Sequence, residues 1–450
     1  MSERIVLPKA LPRRARGGPD VCSISVDIEV VTPILGGGSA TRTLDEVDKI
    51  RVATVRGHLR FWWRALRAHE FNSPTELFNA EGALWGRAAT DEGGRSAVDI
   101  RVDVHKVGNV DESDIELQKT PGAYALWVAR ADKKKNVLPA PRREPGTRFN
   151  LTLIAPAKRE PELRNVVRAW ILFGGYGSRT RRGLGSLRVA DGGAAKWHPS
   201  SVSRDSLDAI FGRNVLAISE GKLDVTPWLA GAALRVGQNQ PDAITAWTTA
   251  LGWLQEFRQG VGDPQGQRAR EPGEGKLQPQ RPSISNWPEA DKIRQLSHKT
   301  QAHPPRHNAT PAWPRAGFGL PIVGRFQTKA RNGDFFDEPG PFEFRWRSKA
   351  AEEWEEHGRL ASPLIVKALP LADGSYVACA LWLTRGFPPG AEARLTRQRK
   401  EFDSQSAAPF DRLVAPGDTA RFAALADKDG LRRAFFDWLD ARNATTVIAP

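Results

Sequence analysis

Residues 174–187, GGYGSRTRRGLGSL, place five glycines and three arginines in fourteen positions. Glycine leaves room for a ligand or another chain segment to approach the backbone. The arginines at 179, 181 and 182 carry planar forks suited to oxyanions. The chemistry is phosphate binding, and a mononucleotide, a dinucleotide or an RNA chain would each qualify. A P-loop needs G-x-x-x-x-G-K-[ST], and this stretch contains no lysine. A dinucleotide fingerprint follows a strand and opens a helix, whereas these glycines follow a helical pattern and open a strand. The composition suits an extended polyanion, clamped by Arg179, Arg181 and Arg182 and by an anion nest of backbone N–H groups. Gly174, Gly175, Gly177 and Ser178 are expected beside it, while Gly183 and Gly185 read as conformational.

A second basic set lies in VRGHLRFWWRALRAHEF, residues 55–71. Arg56, Arg60 and Arg64 recur every four residues and share one helix face. Arg56 and Gly57 begin that helix, where N–H groups attract phosphate. The stripe reads either as an RNA contact or as a solvated or subunit-facing surface. Trp62 and Trp63 continue the apolar face of Leu59 and Leu66, so at least one belongs to the core; an exposed one would stack on bases. His58 carries an imidazole that ordinarily titrates near neutral pH, a group able to act as general acid or base. His298, His303 and His307 fit no standard zinc spacing, have no cysteine with them and read as a polar loop. Neither a metal nor a cofactor is expected.

The whole chain agrees with a polyanionic partner. Its 450 residues suggest two or three domains, 40% are apolar, and the formal net charge is +14. That balance favours nucleic acid over a membrane. There is no apolar run long enough to span a bilayer, and MSERIVLPKALPRRARGGPD lacks the apolar core of a signal peptide. Two cysteines, Cys22 and Cys379, support neither a disulfide framework nor a thiolate zinc site. A soluble cytoplasmic protein is expected.

The elements that must hold these residues follow from periodicity. CSISVDIEVVTP (22–33) alternates as a half-buried strand. A glycine-rich loop follows, then the arginine helix and a short Ser-capped helix over 73–86. Residues 96–107, 123–129 and 147–155 read as strands, EPELRNVVRAWILF (160–173) as a helix stopped by glycine, and 185–190 as a strand. With insertions this is the β-α-β-β-α-β ferredoxin-like (RRM-like) plan, with the glycine/arginine stretch joining the second helix to the last strand. Both helices would pack on one sheet face and leave the other for a ligand or subunit. The expected fold class is α+β, with two such domains at 20–200 and 205–450. The second is read from helices at 243–259 and 430–440, strands at 318–328, 342–348, 359–371 and 376–384, and a mobile polar insertion at 260–282. No fixed-period repeat relates the halves, so any likeness between them lies in topology.

GGYGSRTRRGLGSL resembles the glycine-rich loop of the RAMP superfamily of CRISPR effector proteins. VTPILGGG (31–38), VRGHLRFWWRAL (55–66) and LWGRAATDEGGRSAVDI (84–100) resemble further landmarks of it. RPSISNWPEADKIRQ (281–295), WPRAGFGLPI (313–322) and RLASPLIVKALPL (359–371) narrow the likeness to the first RAMP subunit of the type III-B effector, the Cmr complex. The likeness covers roughly residues 22–385. It implies two ferredoxin-like domains and a non-catalytic place near the guide RNA 3′ end. It also implies contacts to guide RNA, target RNA and neighbouring RAMP subunits. In such proteins the loop after the first strand, here Gly36, Gly37, Gly38 and Arg42, reaches the guide–target duplex. Two alternatives come with the likeness: a guide-processing ribonuclease using His58, where the family has a small residue, and a metal-assisted target nuclease using Asp45 or Asp48. Against the latter, Asp45 and Asp48 also read as a capping, solvated pair.

Overall fold

The computed structural model describes residues 20–38, 40–88, 93–190, 192–218, 226–261, 270–272, 283–300, 305–326, 328, 335, 337–350, 353–388, 390–397, 400–401, 406–443 and 445–449. Most of the expected insertion at 260–282, and His303, lie outside them.

The first half contains β1 (Val21–Val30), β2 (Ile34–Leu35), α1 (Val52–Arg67), α2 (Pro74–Trp85), β3 (Asp99–Lys106), β4 (Val110–Asp111), α3 (Ala123–Leu126), β5 (Arg142–Arg143), β6 (Arg148–Pro156), α4 (Glu160–Phe173), β7 (Leu187–Val189) and α5 (Arg204–Phe211). Strands β3, β6, β1 and β7 form an antiparallel sheet in that order. Counting only these strands, the order is second–third–first–fourth, which is the ferredoxin-like arrangement. Ile24, Val26, Ile28 and Val30 of β1 point inward, and Ser23, Ser25 and Asp27 point out to an exposed polar face. Strand alternation produces this division. The segment 123–129, expected as a strand, is instead α3 followed by a 3₁₀ turn over Trp127–Ala129. A short apolar run does not distinguish the two by periodicity.

The second half repeats the topology. It contains β8 (Trp228–Gln240), α6 (Ala243–Arg258), β9 (Arg270–Pro272), β10 (Ser283–Ser285), α7 (Glu289–Leu296), β11 (Ile322–Gly324), β12 (Phe342–Ala350), β13 (Glu353–His357), β14 (Leu364–Pro370), β15 (Tyr376–Thr384), β16 (Glu392–Arg397), β17 (Lys400–Glu401), β18 (Ala407–Pro409), α8 (Leu431–Arg442) and β19 (Thr446–Ala449). Strands β14, β15, β8 and β19 form a second antiparallel sheet with the same second–third–first–fourth order. Segments inserted after α6 and after β15 combine into a further sheet, β11–β12–β16–β17, edged by β13 and β18.

The units stack in four layers. Helices α1 and α4 lie between the first sheet and one face of the second, and α6 and α8 cover the second sheet's other face. Ile365, Leu369, Cys379 and Leu381 join the core of α1 and α4, while Val366, Ala368, Ala378 and Ala380 join that of α6 and α8. Trp62, Trp63 and Trp170 fill the space between the sheets. Each fully buried large apolar side chain contributes roughly 1.5–3 kcal/mol. This stacking places the connector between α4 and β7 against the second sheet.

Candidate nucleic-acid interface

The connector's base is fastened from several sides. Lys367 of β14 is fully buried and donates to the carbonyls of Ile171 and Gly174, at 2.9 and 2.8 Å. These belong to the last turn of α4 and the residue after it, where carbonyls lack helical partners. Burial pushes the Lys367 ammonium down to about 7. Tyr176 N–H donates to the Gly185 carbonyl, Gly185 N–H to Pro33, and Ser178 N–H to Leu35. The Thr32 hydroxyl donates to the Gly183 carbonyl at 2.7 Å, and the Trp247 indole to the Arg182 carbonyl at 2.6 Å.

The glycines mostly serve this packing, which corrects the expectation for Gly174 and Gly175. Both are buried, and a Cβ on Gly174 would lie 2.5 Å from the Trp62 indole nitrogen. Gly183 and Gly185 are conformational as expected: at φ +63°, a Cβ on Gly185 would lie 1.8 Å from the Tyr176 carbonyl. Gly177 packs against Ile34 and Leu35. Several N–H groups expected in an anion nest are already engaged within the chain. The N–H groups of Tyr176, Ser178, Arg182, Gly183 and Gly185 all donate to carbonyls of the chain.

The tip, however, is at the surface. Ser178 and Arg179 are exposed, and Arg181 and Arg182 are half-buried. Ser178 touches the loop after β2, since a Cβ on Gly36 would lie 2.7 Å from its hydroxyl oxygen. A Cβ on Gly37 would meet nothing within 4 Å. Between the loops lies a groove of about 800 Å³, walled by Gly36, Gly37, Gly38, Ser178, Arg179 and the exposed Arg359. Among the described residues Arg179 and Arg359 have no carboxylate partner. Val128, Ala129 and Ala140 close its far side. They form the base of a hairpin whose tip carries exposed Lys133, Lys134 and Lys135.

Arg42 also lines this groove. Its guanidinium donates to the carbonyls of Val128, Ala129, Arg130 and Leu138. It ties the glycine loop to the lysine hairpin and is a positioning residue. Deeper along the connector, Arg181 donates to the Ser362 carbonyl and lies over the Phe61 ring at 5.3 Å. Burial lowers its pKa to about 10. Burial, then Arg258 beside it, lowers Arg182 to about 9, still cationic at neutral pH. Among the described residues one buried guanidinium nitrogen of Arg182 has no hydrogen-bond partner.

The α1 stripe is corrected outright. Arg56, Arg60 and Arg64 share a face, but it is turned to α2 and the lead into β3. Arg56 donates to the Ser96 hydroxyl at 2.7 Å, and Arg60 and Arg64 both bind the buried Glu81 carboxylate. Trp62 and Trp63 are both core residues, so neither stacks on a base. His58 lies against Trp170, ring centroids 6.0 Å apart, and burial lowers its pKa to about 4. Asp45 accepts from Val47 and Asp48 N–H groups and pairs with Arg51. These bonds to backbone and Arg51 hold its carboxyl below the usual range. Asp48 is exposed. His307 pairs with buried Asp291 at 2.9 Å. Among the described residues no group of three or more His, Cys, Asp or Glu is arranged to hold a metal ion. Among them, too, no helix is long and apolar enough to cross a membrane.

Arg359, Lys133, Lys134 and Lys135 are missing from the sequence reading of the site. The lysine run was a visible charge signal; Arg359, distant in sequence, was not.

Residues 27–188 match the model of the RAMP superfamily. A CRISPR system Cmr subunit, Cmr1-2 of Pyrococcus furiosus, is 28% identical over 182 residues, covering 36% of this chain and 92% of that one. The crystal structure of Cmr1 from Pyrococcus furiosus matches 95% of this chain and 98% of its own, with a TM-score of 0.50 and 14% identity. A chain of a type III-B Cmr-beta complex bound to cognate target RNA matches 82% of this chain and 96% of its own, at TM-score 0.41 and 12% identity. Most of the ferredoxin-like sheet and the connector joining its second helix to its last strand fall within the residues that match the RAMP superfamily model, and the fold of the chain is similar to that of Cmr1.

Proposed function

We propose that this protein is a non-catalytic RNA-binding subunit of a type III-B CRISPR effector. It holds guide RNA near the 3′ end, meets target RNA, and packs beside other RAMP subunits in antiviral defence. The observation that carries the reading is the convergence of two glycine loops, Arg179 and Arg359 on one open groove. Unpaired guanidinium groups beside exposed backbone suit a sugar–phosphate chain. Contacts of this kind position RNA without reading its bases, as a subunit that must accept any guide requires. The similarity to Cmr subunits supports placing it in that assembly.

The non-catalytic part rests on the alternative residues. Asp45 is tied to a turn and to Arg51, and burial keeps His58 out of the imidazolium form that a general acid needs at neutral pH.

Two single-stranded RNAs of unrelated sequence and equal length test the reading. Both should bind with similar affinity, and both should weaken alike on Arg179→Glu. Loss confined to one sequence contradicts backbone recognition. Incubation with repeat RNA should leave it intact with EDTA or with magnesium. A defined cut abolished by His58→Ala, or by Asp48→Asn, overturns the non-catalytic assignment.

A further inference from the structure

A second cavity, of about 260 Å³, adjoins the connector. Gly174, Gly175, Thr180 and Arg181 form one wall, and α1 forms the other through His58, Phe61 and Trp62. Ile365 of the second sheet also lines it.

Phe61 is half-buried, and the Arg181 guanidinium lies over its ring. A flat ring beside a flat cation offers stacking surfaces to a third planar group. Among the described residues the buried Nε2 of His58 has no hydrogen-bond partner. Such an atom is costly unless something supplies its bond. Among the described residues no carboxylate lines the cavity, and the Arg181 guanidinium already bonds Ser362. The walls therefore suit a neutral, planar, hydrogen-bonding group better than a phosphate. Thr180 and Arg181 directly follow Ser178 and Arg179 of the groove. A strand gripped at Arg179 is thereby adjacent to this cavity.

We propose that the cavity between α1 and the connector receives one nucleobase of the bound RNA strand, stacked by Phe61 and Arg181 and hydrogen-bonded by His58. This rests on the RNA-binding reading above. It makes His58 a base-contacting residue and gives the α1 face of the connector a function distinct from backbone grip.

The test uses the full chain and single-stranded RNA carrying one 4-thiouridine at successive positions, irradiated and mapped by peptide mass. One position should cross-link within residues 58–62, and the others on groove segments or not at all. Thr180→Trp, which fills the cavity from the half-exposed tip, should abolish that cross-link. Phe61→Ala should weaken binding roughly five- to hundredfold, the range for a stacked base, with an unchanged salt dependence. Absence of any cross-link at 58–62, together with wild-type affinity in both variants, overturns the proposal. An equally efficient cross-link there from free 4-thiouridine monophosphate also overturns it, because the base would not come from a strand. If the unmodified chain binds no RNA, both readings fall. If it binds RNA and Arg179→Glu weakens it while the cavity variants do nothing, only this one falls.

Discussion

Arg56, Arg60 and Arg64 on α1 and Arg179, Arg181 and Arg182 on the connector look alike as sequence: three cations close together, next to glycine. In the folded chain they have opposite surroundings. Two of the helical arginines share the carboxylate of Glu81, and the third binds Ser96. The connector arginines have no carboxylate partner among the described residues; Arg181 meets a carbonyl and a ring, and Arg182 keeps an unpaired nitrogen. The difference lies in neighbours supplied by other elements. Helix α2 brings a buried acid to the first set, whereas the segment leading into β14 and helix α6 bring a carbonyl, Trp247 and another arginine to the second. Cation clustering alone does not identify an anion site. Exposure on an open groove without an internal counter-charge, as at Arg179 and Arg359, is the better guide.

The largest effect should come from reversing the exposed groove pair, Arg179→Glu with Arg359→Glu. Loss of two charge-assisted contacts should weaken RNA binding roughly a hundredfold or more, read by filter binding at fixed salt, with an unchanged thermal midpoint. Wild-type affinity in this variant would erase the distinction between the two sets.

Glu81→Gln should behave the other way. It leaves Arg60 and Arg64 without their shared anion, and these guanidinium groups are only about 30% exposed. The expected cost is about 2–3 kcal/mol in urea unfolding, below the usual figure for a fully buried pair because water reaches the arginines. RNA affinity should not change. A large affinity loss without destabilisation would return the α1 stripe to the interface.

A smaller effect is expected for Arg42→Ala. Arg42 lines the groove, but its guanidinium is engaged by four carbonyls, so binding should weaken about two- to tenfold, chiefly through lost preorganisation, with a smaller change in salt slope than for Arg179→Glu.

The subtlest concerns Lys367, which holds the connector's base. Its folded pKa of about 7 lies below its ordinary 10.5. Between those values the unfolded chain binds the additional proton, so this group makes stability rise with pH across that window. Lys367→Met should flatten that rise in stability measured by urea titration from pH 7 to 10.5. An identical slope in variant and wild type would contradict a buried, depressed lysine at the connector.

Much of the fold was legible in the chain. Helix α4 spans the residues its apolar periodicity marks, and β1 turns its alternating Ile and Val inward. The central strand of the second sheet, β8, was not recognised. It is covered by helices on both faces, so WLAGAALRVGQNQ has no inside–outside alternation, and Gly231 and Gly237 interrupt it. The connector was legible as a backbone-dense cationic segment, but the identity of the paired arginines was not. Glu81 lies on a different helix from the arginines it neutralises, and helical spacing records nothing about the helix opposite.

The most direct test of the central claim is the salt dependence of single-stranded RNA binding, measured for the wild type, Arg179→Glu and Arg64→Gln. Each neutralised phosphate contributes about 0.7 to the slope of log K against log salt for single strands. Arg179→Glu should lower the slope by about that amount or more, and Arg64→Gln should leave it at the wild-type value. A slope lowered by Arg64→Gln and untouched by Arg179→Glu would contradict the account.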